Sequence, residues 1–253
     1  MRVGSLFSGI GGFELGLQMA SPDFEIAWQV EIEPYARRVV EKHWPDVPRW
    51  DDVKTFPPDP VEDWAVDLVC GGFPCQSISS AGKMLGKQDD RYLWPEMARV
   101  CAVLKPRWIL AENVSRIVSA RDELGHRGGI LGEVLRDLAA LGYDAEWHCI
   151  PASRFGACHR RDRFWLVAWM ADPVSERGRS RDSRWQDAIH VDARRQIVGP
   201  PGDCGWWAIE PDIRRVANGI PARVDRLRGL GNAVVPQVVE YLGRCVMDAE
   251  KSR

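Results

Sequence analysis

A chain of 253 residues that is 45% hydrophobic and 28% charged can bury a substantial core, which excludes wholesale disorder. A formal net charge of −2 excludes a uniformly basic nucleic-acid coat while leaving room for a local basic face. No apolar run approaches the ~20 residues of a membrane span, and Cys70, Cys75, Cys101, Cys149, Cys158, Cys204 and Cys245 form no C-x-x-C pair. A membrane protein, a zinc ribbon and a disulfide scaffold are therefore disfavoured. A soluble, cytoplasmic chain with reduced thiols and no metal site is expected.

Strand-like segments fall at Val3–Phe7, Glu25–Val30, Ala65–Cys70, Trp108–Ala111, Ala145–Ile150 and Phe164–Trp169. Helical patterns at Phe13–Met19, Pro34–His43, Leu93–Leu104 and Ile130–Leu141 separate them. This alternation predicts an α/β fold with a doubly wound, mostly parallel sheet. Beyond Ala171 the periodicity collapses into a stretch rich in Arg, Asp, Gly, Pro and Trp, and a helical pattern returns at Asn232–Asp248 with Pro236 in its first turn. The chain thus divides into a core at 1–171, a small irregular lobe at 172–222 and a C-terminal segment at 223–253.

Open α/β sheets present their chemistry at the carboxyl ends of their strands. Four such ends stand out. Leu6-Phe7-Ser-Gly9-Ile10-Gly11-Gly12 joins the first strand to a helix by a G-x-G-G turn, which suits close backbone approach to a phosphate-free ligand better than a pyrophosphate cradle. Taken alone it is equally a tight structural turn. Glu31 and Glu33 close the second strand, and either can accept hydrogen bonds from ribose hydroxyls or serve as a solvated acid at a helix start. Cys75 follows Phe73-Pro74 as a candidate nucleophile or a small core residue. Glu112-Asn113 ends another apolar strand, and His159-Arg-Arg161-Asp-Arg163 opens the last one.

Together and in this order, these segments resemble the DNA (cytosine-5) methyltransferase family, as does Arg228-Gly-Leu-Gly231-Asn232-Ala-Val234 near the C-terminus. The resemblance implies a Rossmann-like methyltransferase core with S-adenosyl-L-methionine as cofactor. Phe7, Gly9, Ile10, Gly11 and Gly12 would line its site. Glu31 would hold the ribose, Ile32 would lie beneath the adenine and Asp52 would receive the adenine amino group, with Leu93, Asn232 and Val234 as further contacts. Carbon 5 of cytosine is a poor nucleophile until a thiolate adds at C6 and an acid meets the charge developing at N3. Cys75 and Glu112 are the matching pair, with Arg163 at O2 orienting Glu112 and Arg161 alongside. The family's usual glutamine is replaced by His159.

The resemblance implies double-stranded DNA as the partner; a base within its stack must be rotated out to be reached, and the polar segment Ser77–Arg91 is a candidate closing loop. Gln76, Ser79 and Lys83, with Trp206 and Trp207 of the lobe, are the expected DNA contacts. Lobe 172–222 is short for a target-recognition region, so the resemblance is to a compact member of the kind associated with phage or mobile elements. A monomer with a cognate restriction endonuclease is the implied setting. Competing readings are a tRNA cytosine-5 methyltransferase, a catalytically inactive DNA-binding module and, at the level of fold, a nicotinamide oxidoreductase.

Overall fold

The computed structural model describes residues 1–74, 92–122, 124–157, 159–171 and 223–252. The elements among them run β1 (Arg2–Leu6), α1 (Gly12–Ala20), β2 (Glu25–Val30), α2 (Pro34–His43), β3 (Arg49–Trp50), β4 (Leu68–Gly72), α3 (Trp94–Leu104), β5 (Trp108–Val114), α4 (Gly129–Ala140), β6 (Tyr143–Pro151), β7 (Asp162–Met170), α5 (Arg223–Asn232) and α6 (Pro236–Lys251). The strands form one sheet in the order β3-β2-β1-β4-β5-β7-β6. Neighbours from β3 through β5 are parallel, and β7 runs antiparallel to both β5 and β6. The expected doubly wound, mostly parallel sheet is present. Its order reverses at β1, which lies between β2 and β4, and such a reversal opens a crevice beyond the carboxyl ends of the strands.

Strand alternation divides the core between the two faces of the sheet. Trp108 and Leu110 of β5 join Leu68, Cys70, Phe13 and Leu17 in a cluster closed by Val238, Val239, Leu242 and Val246 of α6. Ile109 and Ala111, one residue out of phase, join Val69 and Leu166 in the opposite cluster with Met97, Val100, Val134 and Leu138 of α3 and α4. Each fully buried Leu, Ile, Val or Phe side chain contributes roughly 1.5–3 kcal/mol. Helices α1 and α6 meet closely because Gly16 lacks a side chain, and a Cβ there would lie 2.4 Å from Val239 Cβ.

Most elements end within a few residues of the sequence reading, and some of the differences have a clear physical cause. β4 begins at Leu68 rather than Ala65, because a short 3-10 turn at Val61–Trp64 precedes it and the Asp67 carboxylate is engaged by the Arg2 backbone N–H at 2.8 Å. The helix expected over Asn232–Asp248 is divided: Asn232 closes α5, and α6 starts at Pro236, where a missing N–H costs nothing in a first turn. Helix α5 itself was not expected, since Gly229 and Gly231 give its sequence the look of a turn.

Candidate active site

The chain leaves β1 through a backbone bent into the left-handed region at Phe7 (φ 54°), Gly9 (φ 55°) and Gly11 (φ 89°). Gly11 then stands at the N-cap of α1, where a side chain would be strained by its φ and would also strike Trp44, only 2.4 Å from an ideal Cβ. Gly12 has no room either, since its Cβ would come within 2.7 Å of Val234 Cγ2. The G-x-G-G pattern therefore makes a thin turn backed by α2's C-terminal tryptophan on one side and by the approach to α6 on the other.

Glu31 faces this turn from the end of β2. Its two carboxylate oxygens accept the N–H groups of Gly9 at 2.7 Å and Glu33 at 2.8 Å. Burial pushes its pKa up, while these two bonds hold it down. Each oxygen keeps further acceptor capacity for a ligand hydroxyl. Glu33 is occupied differently: it is more exposed and pairs with Arg228 Nη2 at 2.8 Å. The geometry thus separates two acids between which only the family resemblance had chosen. Between them Ile32 is 65% exposed, an uncovered aliphatic surface next to a fixed carboxylate. Asp52 caps a short 3-10 turn through Oδ1, which accepts the Lys54 N–H at 3.0 Å. A fixed carboxylate for two hydroxyls, an open aliphatic face and a nearby acid suit a nucleoside, and these residues fit S-adenosylmethionine.

A second group of side chains gathers at the ends of β4 and β5. In the parallel register Gly72 stands opposite Glu112, and a Cβ on Gly72 would lie 3.1 Å from Glu112 Oε2. The glycine therefore leaves space for the carboxyl. On the other side β7 pairs with β5 antiparallel, bringing Arg163 Nε to 3.1 Å from Glu112 Oε1. Burial pushes the Glu112 pKa up to about 7, with Arg163 and then Arg161 opposing the shift. A carboxyl poised near neutrality can hold or release a proton at working pH.

Arg161 lies close by but is bonded elsewhere. Its Nη2 donates to the carbonyls of Gly231 at 2.8 Å and Ala233 at 2.5 Å. Asn113, which the sequence marked only as a neighbour of Glu112, tethers the approach to Cys75: its Nδ2 donates to Phe73 O at 3.0 Å and its Oδ1 accepts the Val114 N–H at 2.8 Å. The Leu93 N–H reaches Pro74 O at 3.4 Å. Cys75 itself, the segment Ser77–Arg91 and the expected DNA contacts Gln76, Ser79, Lys83, Trp206 and Trp207 lie outside the described residues.

Sequence reasoning also missed a buried polar cluster under the glycine turn. Glu14, fully buried in the first turn of α1, accepts from Gln29 Nε2 at 2.9 Å, and the Ser8 hydroxyl reaches Ser5 Oγ at 3.0 Å. Burial pushes the Glu14 pKa up. An acid in a helix's first turn ordinarily faces solvent, so no pattern distinguished it. Among the described residues no His/Cys/Asp/Glu group could hold a metal ion, and no helix is long and apolar enough to cross a membrane.

The reversed-order sheet, the nucleoside-fitted crevice at its switch point and the neighbouring buried carboxyl define a Rossmann-like α/β core of the methyltransferase kind. The chain belongs to the C-5 cytosine-specific DNA methylase family, which it matches over residues 1–196. It is 35% identical to the type II methyltransferase M2.BsuMI of Bacillus subtilis over 215 residues, covering 83% of this chain and 52% of that protein. It is 34% identical to the type II methyltransferase M.NgoBV of Neisseria gonorrhoeae over 169 residues, covering 64% of this chain and 40% of that protein. The chain thus spans about half or less of these relatives' length. Its fold resembles a DNMT2 structure from Spodoptera frugiperda with a TM-score of 0.65 at 15% identity, covering 97% of this chain and 99% of that one.

Proposed function

We propose that this chain transfers a methyl group from S-adenosylmethionine to C5 of cytosine in double-stranded DNA. The observation that carries the reading is the buried Glu112 carboxyl, braced by Arg163 at 3.1 Å, beside the tethered Phe73-Pro74 backbone that leads directly into Cys75. The type II methyltransferase names of the relatives favour the same chemistry and a restriction–modification setting.

Cys75 adds as a thiolate to C6 of an extruded cytosine, forming the C6–S bond. Glu112 gives its proton to N3 as negative charge reaches the ring, and Arg163 donates to O2 while holding the carboxyl in place. Carbon 5 is then the nucleophilic end of an enamine. Bound S-adenosylmethionine supplies an electrophilic methyl group at that position. Loss of the C5 proton to water then expels the thiolate by elimination, N3 returns its proton to the Glu112 carboxylate, and the aromatic ring is restored. Cys70, five positions before Cys75, is unsuited to the role, since full burial first, and then the Glu14 charge, hold its thiol pKa well above the ordinary range.

Glu31, Ile32 and Asp52 would hold the ribose and adenine, with the Phe7–Gly12 turn, Leu93, Asn232 and Val234 completing the pocket. Glu31→Ala is expected to weaken cofactor binding by about 1.5–3 kcal/mol, because it removes charge-assisted hydrogen bonds and also orphans the Gly9 N–H. Calorimetry without DNA measures this. Glu33→Ala, which removes only a partly exposed ion pair, should change affinity much less, and the reverse ranking would reassign the ribose contact.

Residues 172–222 are proposed to choose the DNA sequence. A lobe this small reads few base pairs, each good contact being worth about 1–3 kcal/mol of discrimination. Substituting Trp206 and Trp207 together should alter the methylated contexts in bisulfite maps more than it alters cofactor affinity. Unchanged contexts would place recognition elsewhere. The overall reading is tested by supplying methyl-labelled cofactor with duplex DNA or tRNA as acceptor: label is expected in the duplex, and label confined to tRNA would refute it.

A further inference from the structure

Arg161 connects two sites that the sequence keeps far apart. Gly231 belongs to the last turn of α5, where carbonyls have no intrahelical partner and carry the negative end of the helix dipole. Ala233 is the first residue beyond that helix. One guanidinium nitrogen, Nη2 of Arg161, bonds both carbonyls, across 70 and 72 residues of chain. The residues so held lead into Val234, which lies against Gly12.

Helix α5 leaves two of its apolar side chains open to solvent. Val224 is 74% exposed and Leu230 43% exposed, so apolar burial does not set its position. Its ties run instead to the glycine turn and the end of β2. Arg228 pairs with Glu33 at 2.8 Å, and at Gly229 an added Cβ would lie 3.1 Å from Ile10 Cγ2. The helix and the connection after it thus form a wall over the cofactor crevice, pinned at its far end by Arg161.

The anchor is itself in an unusual conformation. Arg161 has φ 35°, a left-handed backbone that a residue with a side chain adopts only where its surroundings impose it. The Ala152 N–H, which donates to Arg160 O at 2.8 Å and Arg161 O at 3.4 Å, helps to impose it. Two residues further on, Arg163 meets Glu112. The same three-residue segment therefore holds the cofactor wall with one arginine and the base-site acid with the other.

We infer that Arg161 is a positioning residue that couples cofactor binding to the readiness of the base site, through the two carbonyls at the end of α5. The inference rests on the proposed reading of the crevice as a cofactor site. Coupling of this kind is reciprocal: cofactor that presses the wall into place fixes segment 161–163, and a well-ordered segment tightens the wall on the cofactor.

The test uses the whole chain with Arg161→Met and Arg161→Lys. Calorimetry with S-adenosylmethionine in the absence of DNA should show affinity reduced about tenfold in Arg161→Met, within the usual range of coupling, and partly recovered in Arg161→Lys, whose ammonium can reach one carbonyl. Hydrogen exchange should quicken at residues 229–235 and stay unchanged in β1 and β4. Carbon-13 NMR of the Glu112 carboxyl supplies the readout on the other side: S-adenosylhomocysteine should move its titration in the wild type and not in Arg161→Met. Equal cofactor affinity in the wild type and Arg161→Met would overturn the coupling, as would a Glu112 response that persists in Arg161→Met or faster exchange throughout the sheet. If Arg161→Met does not fold, Arg161→Lys decides by the same readouts. A wild-type chain that binds no cofactor would instead overturn the proposed function.

Discussion

Replacing Cys75 with alanine is expected to remove methyl transfer, by a factor on the order of 10³ or more, the scale on which loss of a covalent nucleophile is felt. The expectation follows from the weak nucleophilicity of C5, because without addition at C6 the ring never becomes an enamine. Cofactor binding should survive, since Glu31, Ile32 and Asp52 belong to different strand ends from the one that Cys75 follows. A duplex carrying 5-fluorocytosine should form a denaturation-resistant adduct with the wild-type chain and none with Cys75→Ala, because fluorine cannot leave as the proton does. Rates are measured with labelled cofactor. Transfer at the wild-type rate in Cys75→Ala would remove the covalent step from the mechanism.

Glu112→Gln is expected to change both rate and pH dependence. An amide can still donate a hydrogen bond to N3 but cannot transfer a proton, so kcat should fall by roughly 10²–10⁴, the usual worth of a general acid. In the wild type the acid must be protonated, and its pKa of about 7 places a declining limb of kcat/KM above neutrality. The same shift acts on stability. The folded state holds the Glu112 proton more tightly than an unfolded chain, whose glutamate has its ordinary value of 4.5. Stability from this group is therefore complete below pH 4.5 and is lost as pH rises to about 7, by on the order of 3 kcal/mol at about 1.4 kcal/mol per pH unit. Glu112→Gln removes that slope, so its melting temperature should gain on the wild type between pH 5 and 7 and run parallel above. A gap that stays constant from pH 5 to 8 would mean that the carboxyl is not held neutral by burial.

Much of this was legible in the chain. The apolar runs at β1, β2, β5 and β7 are buried on one or both faces, and burial is what makes a strand readable from composition. The two-residue β3 gave no such signal, being held by pairing with β2 rather than by any run of its own. Helix α5 was hidden because its reasons to exist lie outside its sequence, in Glu33, Ile10 and the Arg161 guanidinium. Among site residues, the glycine turn and the strand-end acid Glu112 announced themselves by position. Between Glu31 and Glu33 the residues alone left the choice open and the family resemblance chose Glu31; in the fold, burial and the Gly9 N–H distinguish the two acids. Arg161 shows the limit most clearly: in sequence it is one arginine of a pair beside the active acid, and only the fold reveals that its donors face the end of a helix seventy residues away.

The proposed function stands or falls on transfer of a methyl group to carbon 5 of cytosine in DNA. The most direct measurement is mass spectrometry of nucleosides released from duplex DNA after incubation with the purified chain and S-adenosylmethionine bearing a deuterated methyl group. Deuterium-labelled 5-methyl-2′-deoxycytidine is expected with the wild type and should be lost in both Cys75→Ala and Glu112→Gln. Unlabelled DNA, or label carried on N4 of cytosine or N6 of adenine, would contradict the proposed function.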